Sequence, residues 1–241
     1  MELPCVSFDM EITLSIIGTA GRDASNPLGK SHFEAMCLVA SGLIDQLADS
    51  NYPISHLVSG GAAWADHVAV KLFLNKKVPY LRLYLPAVFE GGAYYDNGSE
   101  KWHENSGRTA NHYHKQFQVA TNINSLSEIN IAKCEGATLI EMNGFHARNA
   151  MVSKSDFLLA MTFSKGNQVM PGGTEDTVEK YLTRVKKTGM FDKSFHYDLN
   201  DGKIYEGCTL PPKKKEPFGQ ETRIALNKFV KAKNIIFSSP P

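Results

Sequence analysis

Apolar residues in this chain fall into short dense runs, separated by longer stretches where they recur every three or four positions. The runs ITLSIIG (12–18), ISHLVSGG (54–61) and YLRLYLP (80–86) have the length of strands buried on both faces. Between them, residues 30–49 space Phe33, Met36, Leu38, Leu43, Ile44 and Leu47 as on a helix. Residues 62–77 likewise set Trp64, Val68 and Leu72 on one helical face. The connections are long enough for parallel crossovers, so the chain opens β-α-β-α-β. Further on, the pattern predicts helices over 107–119 and 125–134 and a short strand at ATLIEM (137–142). A helix at GFHARNAMVSKS (144–155), a strand at FLLAMTF (157–163) and a helix ending near 187 follow. This alternation predicts the α/β class: a Rossmann-like, doubly wound, mainly parallel sheet.

Two regions break the rhythm. Residues 87–106 are rich in glycine, aromatics and charge, and are too long for an ordinary connection. They read as a functional lid or a disordered insertion, with the whole inserted region running over about 87–135. Residues 194–207 read as a hairpin turning near 200–202, residues 209–220 as a linker, and residues 220–233 as a last helix. The expected organisation is one Rossmann-like domain over 1–190 and an appendage over 191–241.

Composition narrows the class without naming a function. A chain of 241 residues suits one large α/β domain with decorations. A net charge of +1 gives no global field for nucleic acid or anionic membrane. No apolar run approaches the ~18 residues a membrane span needs, and the amino terminus lacks the pattern of a signal peptide. Cys5, Cys37, Cys134 and Cys208 are scattered with no CxxC, which argues against zinc and for a reducing compartment, the cytoplasm. The lysines of PPKKKEP read as a solvated linker.

Small residues gather at three strand-to-helix junctions: GTAGRD (18–23), SGGAAWAD (59–66) and PGGTED (171–176). In an open parallel sheet such junctions lie at the carboxyl edge of the strands, where ligands bind at the reversal of strand order. Three of them point to a nucleotide- or phosphate-sized ligand contacting Gly18, Thr19, Gly21, Gly60, Gly61, Gly172, Gly173 and Thr174. None is GxGxxG or GxxxxGK[ST], so a dinucleotide fingerprint and a P-loop are both excluded. Arg22 either clamps an anion bidentately or pairs with Asp23 or a neighbouring helix. Asp66 stands in the first turn of a helix, where a carboxylate suits the dipole as well as a ligand.

GFHARNAM (144–151) places His146, Arg148 and Asn149 ahead of a strand. Arg148 is the candidate for orienting a phosphate or a catalytic carboxylate. Glu175 and Glu179 are four apart and share a helix face. His112 and His114 are two apart and face different ways on a helix, which is poor zinc geometry. Tyr94, Tyr95 and Trp102 either stack on a base or cover the core edge.

ARNAMVSKSDFLLAM followed by PGGTEDTVE resembles the arginine-bearing helix, strand and PGGxGTxxE turn of the LOG ("lonely guy") phosphoribohydrolases. GTAGRD and VSGGAAWADHVAV resemble the wider LOG/Smf/DprA-like Rossmannoid superfamily, and the resemblance covers roughly 12–86 and 136–187. It implies cleavage of the N-glycosidic bond of a nucleoside 5′-monophosphate. Carried over by position, the catalytic glutamate falls on Glu179, its arginine on Arg148, and the glycine pair on Gly172 and Gly173. The resemblance also implies a homo-oligomer.

The chain departs from that pattern at Glu175 and Asp176, where the family has Gly-Thr. Two acids at a helix start repel a phosphate docked there. They either point to solvent, with Asp176 paired to Lys180, or meet a less anionic ligand, ribose hydroxyls or a divalent cation. The expectation is a nucleotide-binding protein that hydrolyses an N-glycosidic bond, with a non-catalytic nucleotide sensor as the alternative. No cofactor is called for; Mg²⁺ enters only through those acids. The expected partner is a nucleotide or nucleoside, with no membrane or nucleic acid.

Overall fold

A computed structural model describes residues 11–212. The expected last helix, most of the linker and Cys5 lie outside the described residues. The elements run β1 (Thr13–Gly18), α1 (Lys30–Asp49), β2 (His56–Ser59), α2 (His67–Leu74) and β3 (Tyr80–Leu85). A small hairpin, β4 (Phe89–Glu90) and β5 (Ala93–Tyr94), precedes α3 (Ser106–Thr121) and α4 (Ser125–Cys134). Then come β6 (Thr138–Glu141), α5 (Gly144–Val152), β7 (Phe157–Thr162), α6 (Gly173–Thr188), β8 (Ser194–Asp198) and β9 (Lys203–Glu206).

Among the described residues, seven strands form one sheet in the order β6-β3-β2-β1-β7-β8-β9. All neighbours are parallel except β8 and β9, which form the expected antiparallel hairpin. The chain winds outward from β1 to β6, then returns across the sheet to β7. A right-handed crossover taken in the opposite direction puts its helix on the opposite face. Accordingly α1–α4 pack against Leu14, Ile16, Leu57, Leu83 and Leu159 on one face. The helices α5 and α6 pack against Ile17, Val58, Leu158 and Ala160 on the other. This is the Rossmann-like α/β architecture, and its strand order reverses between β1 and β7.

Central position explains the apolar composition of β7, whose six residues are all buried. Leu159 is fully buried beneath the α1–α4 layer. Leu159→Ala is expected to lower stability by about 2–5 kcal/mol, read from the urea midpoint. A loss under ~1 kcal/mol would contradict the tight packing assigned to this face.

Helix ends follow local chemistry. Asn105 and Asn124 accept from the N–H groups of Arg108 and Ser127 at the starts of α3 and α4, both at 3.0 Å. One expectation is corrected: the helix read over 62–77 is confined to His67–Leu74. Gly61 and Trp64 both have positive φ, 67° and 62°, so the chain turns before it can coil. Among the described residues, no helix is long and apolar enough to cross a membrane.

Residues 87–105 are held against the domain by buried groups. Phe89 and Tyr94 are each 2% exposed. The Tyr94 hydroxyl donates to the Gly61 carbonyl at 2.5 Å, and Asn111 exchanges hydrogen bonds with the Tyr94 backbone. Tyr94 thus covers the core, whereas Tyr95 and Trp102 are exposed.

Candidate functional site

The carboxyl ends of β1, β2, β6 and β7 deliver the glycine turns and the starts of α2, α5 and α6 to one edge of the sheet. The Thr19 carbonyl accepts from the Ala65 N–H at 3.3 Å, tying the first two turns together. The third is joined to them by side chains. Asn149, buried on α5, donates to the Gly173 carbonyl at 3.3 Å and to Asp176 at 2.9 Å. Its own carbonyl oxygen accepts from Arg148 Nε at 3.0 Å.

Arg148 reaches back across the sheet. Its Nη1 donates to the Gly60 carbonyl at 3.2 Å and lies 3.6 Å from Asp66 Oδ2. Gly60 must be glycine for this: a Cβ there would sit 2.6 Å from Arg148 Cζ and 2.8 Å from Asp66 Oδ2. Asp66 is 3% exposed. Burial pushes its carboxyl above the usual range, while Arg148 and the N–H groups of Ala62, Gly60 and Gly18 oppose the shift. The Gly61 turn beside it is fixed from below. Its carbonyl accepts from Tyr94 and from His114 Nε2 at 3.0 Å, while His114 Nδ1 accepts from Ser125. Burial drives the His114 pKa down to about 3, so the ring is neutral and Nε2 carries the proton.

Asp176 is the α6 carboxylate that faces α5. It pairs with Lys180 and lies 3.6 Å from His146 Nδ1. Burial works against its ionisation, but Lys180 and Asn149 outweigh it and hold the carboxyl below its usual range. Glu175 folds back to accept from the Gly172 N–H at 3.2 Å, satisfying one free donor at the start of α6. Glu179, three residues beyond Asp176, is exposed. Thr174 is half-buried at the start of α6.

Of the residues read from the sequence, the structure therefore unites Gly60, Gly61, Asp66, Arg148, Asn149, Gly173 and Asp176. Gly18, Thr19, Gly21 and Arg22 border them on the β1–α1 turn. Arg22 does not pair with Asp23, which accepts instead from the Ser25 N–H at 2.9 Å and from Asn26 at 2.7 Å. Arg148 engages Asp66 and Asn149, and touches α6 only through Asn149. Sequence reasoning missed Tyr94 and His114 as the supports of the Gly61 turn. Their signal was present, since a tyrosine and a histidine inside an inserted segment must bury their polar atoms against something.

Among the described residues no cluster of His, Cys, Asp or Glu could hold a metal ion. Cys37, Cys134 and Cys208 are free. Two surface depressions lie away from these residues: one over α3 near His112 and Lys115, another of about 210 Å³ at the amino edge near Arg82 and Asp156. The site is marked by the chemistry that converges there.

Fold and site together define a Rossmann-like α/β protein with a polar cluster at the switch point of its sheet. No family model matches the chain. It is 35% identical over 174 residues to "Uncharacterized protein R261" of Acanthamoeba polyphaga mimivirus, covering 70% of this chain and 91% of that protein. The chain belongs to the same family as that viral protein.

Proposed function

We propose that the protein binds a nucleotide at the carboxyl edge of its sheet and hydrolyses its N-glycosidic bond. One observation carries this reading. The Asp66–Arg148 pair and the Asn149–Asp176 contact meet on the glycine turns where the strand order reverses. In the reaction, the C1′–N bond breaks and its electron pair leaves with the base. Water oxygen bonds to C1′, and a water proton ends on the base. Positive charge builds on the sugar between those events, so an ionised carboxylate beside it lowers the barrier. Asp176 is held ionised, and Glu179, the residue that the LOG resemblance selects, stands on the same helix.

A second reading, a nucleotide sensor without turnover, is favoured by the pairing of Asp66 with Arg148 and of Asp176 with Lys180. Both carboxylates already have partners before a substrate arrives. A panel of nucleosides and nucleotides, with and without Mg²⁺, decides between the two by chromatography of released base. Hydrolysis predicts release from a nucleoside monophosphate, reduced at least about 10²-fold by Glu179→Gln or Asp176→Asn with binding retained. A ligand that raises the melting temperature without releasing base selects the sensor. Absence of both effects across the panel sinks both readings.

A further inference from the structure

We propose that the phosphoryl group of the ligand docks between Arg22 and Arg148, beside Phe145, and not at the amino end of α6. This rests on the nucleotide reading above. Arg22 Cζ lies 5.1 Å from the ring centroid of Tyr113 and 5.5 Å from that of Phe145. Stacking occupies the faces of a guanidinium and leaves its N–H edge directed outward. That edge is unengaged: Arg22 makes no hydrogen bond or ion pair among the described residues. An exposed arginine normally loses rotamer freedom when it binds an anion. Here two rings, one from α3 and one from α5, already hold it.

Arg148 shares the same ring, with Cζ 5.5 Å from the Phe145 centroid. Its Nε and Nη1 are engaged by Asn149 and Gly60. Its Nη2 has no hydrogen-bond partner among the described residues and is not enclosed. Both guanidinium groups therefore lie against the Phe145 ring. The amino end of α6 has the opposite character. Glu175 already accepts the Gly172 N–H, and Asp176 adds a second carboxylate in the same turn. A dianion placed there meets two like charges at close range. Placed by Phe145, it meets the N–H edge of Arg22, which matches phosphate oxygens bidentately, and the remaining Nη2 of Arg148.

The test compares adenosine 5′-monophosphate with adenosine by titration calorimetry, in wild type and Arg22→Gln. The substitution should weaken the nucleotide about 10- to 100-fold and leave the nucleoside within about twofold. Arg22→Lys should recover part of the loss, because charge survives without the fork. Tyr113→Leu, which keeps the charge and removes a stacking ring, should fall between. Equal weakening of both ligands, or none, overturns the bracket. Binding of neither ligand by wild type defeats the nucleotide reading. Inorganic phosphate then decides the bracket alone: a rise in melting temperature that Arg22→Gln abolishes supports it, and no Arg22-dependent rise overturns it. Arg22 is exposed, so the apo variant should melt with wild type.

Discussion

Asp66→Ala is expected to cost about 3–5 kcal/mol of stability and to abolish ligand binding at the sheet edge. The carboxylate is buried, and so is most of its partner: the Arg148 side chain is 12% exposed. Truncation leaves that guanidinium with a carbonyl and an amide oxygen but no anion. It also strips an acceptor from the Ala62 N–H, 3.3 Å from Asp66 Oδ2. Arg148→Met removes the other charge and should be costly for the same reason. The double substitution should then cost clearly less than the sum of the two, since no unpaired ion remains. Urea midpoints for the four proteins read this directly. Additive losses, or an Asp66→Ala effect under ~1 kcal/mol, would show that the two do not act as a unit.

The second large effect is acid lability. The His114 pKa falls from 6.5 to about 3 because burial disfavours the imidazolium, and the neighbouring His67 adds to the shift. In the unfolded chain the same ring takes up a proton near its ordinary value. Between those limits the unfolded state binds more protons than the native one, so stability rises with pH. It is complete above about 6.5 and lost progressively as pH falls towards 3. The full span amounts to roughly 4–5 kcal/mol. His67, lowered first by burial, and His196, lowered likewise, act in the same direction. His114→Gln keeps a donor for the Gly61 carbonyl and removes the titration. Its urea midpoint should vary less between pH 7 and 4 than that of wild type. Parallel curves for the two proteins would rule out His114 as the source.

Much of the frame was legible because burial on both faces demands unbroken apolar runs. FLLAMTF predicts β7 for that reason, and the 3.6-residue spacing of Phe33, Met36 and Leu43 predicts α1. The shortened α2 was hidden, because a positive φ at a tryptophan is imposed by tertiary packing and leaves no mark in composition. At the site, the glycine turns were readable from the strand-to-helix junctions. The partner of Arg148 was not. Position along the chain suggests the carboxylates of the next helix, whereas strand order brings it to Gly60, 88 positions away. Only the sheet order decides which turn an arginine on α5 meets.

The Gly61 carbonyl receives two donors, Tyr94 and His114, both from the segment that follows β3. That makes the segment a buttress for the carboxyl edge of the sheet and not an ornament on it. A shortened protein crossing from β3 to β6 through α4 alone could still pair those two parallel strands. It would nevertheless leave the central turn of the site without its underpinning and uncover Leu85, which packs against Gly61. The smallest working unit of this fold therefore includes the insertion, and shuffling that region between relatives would exchange the foundation of the site together with its outer wall.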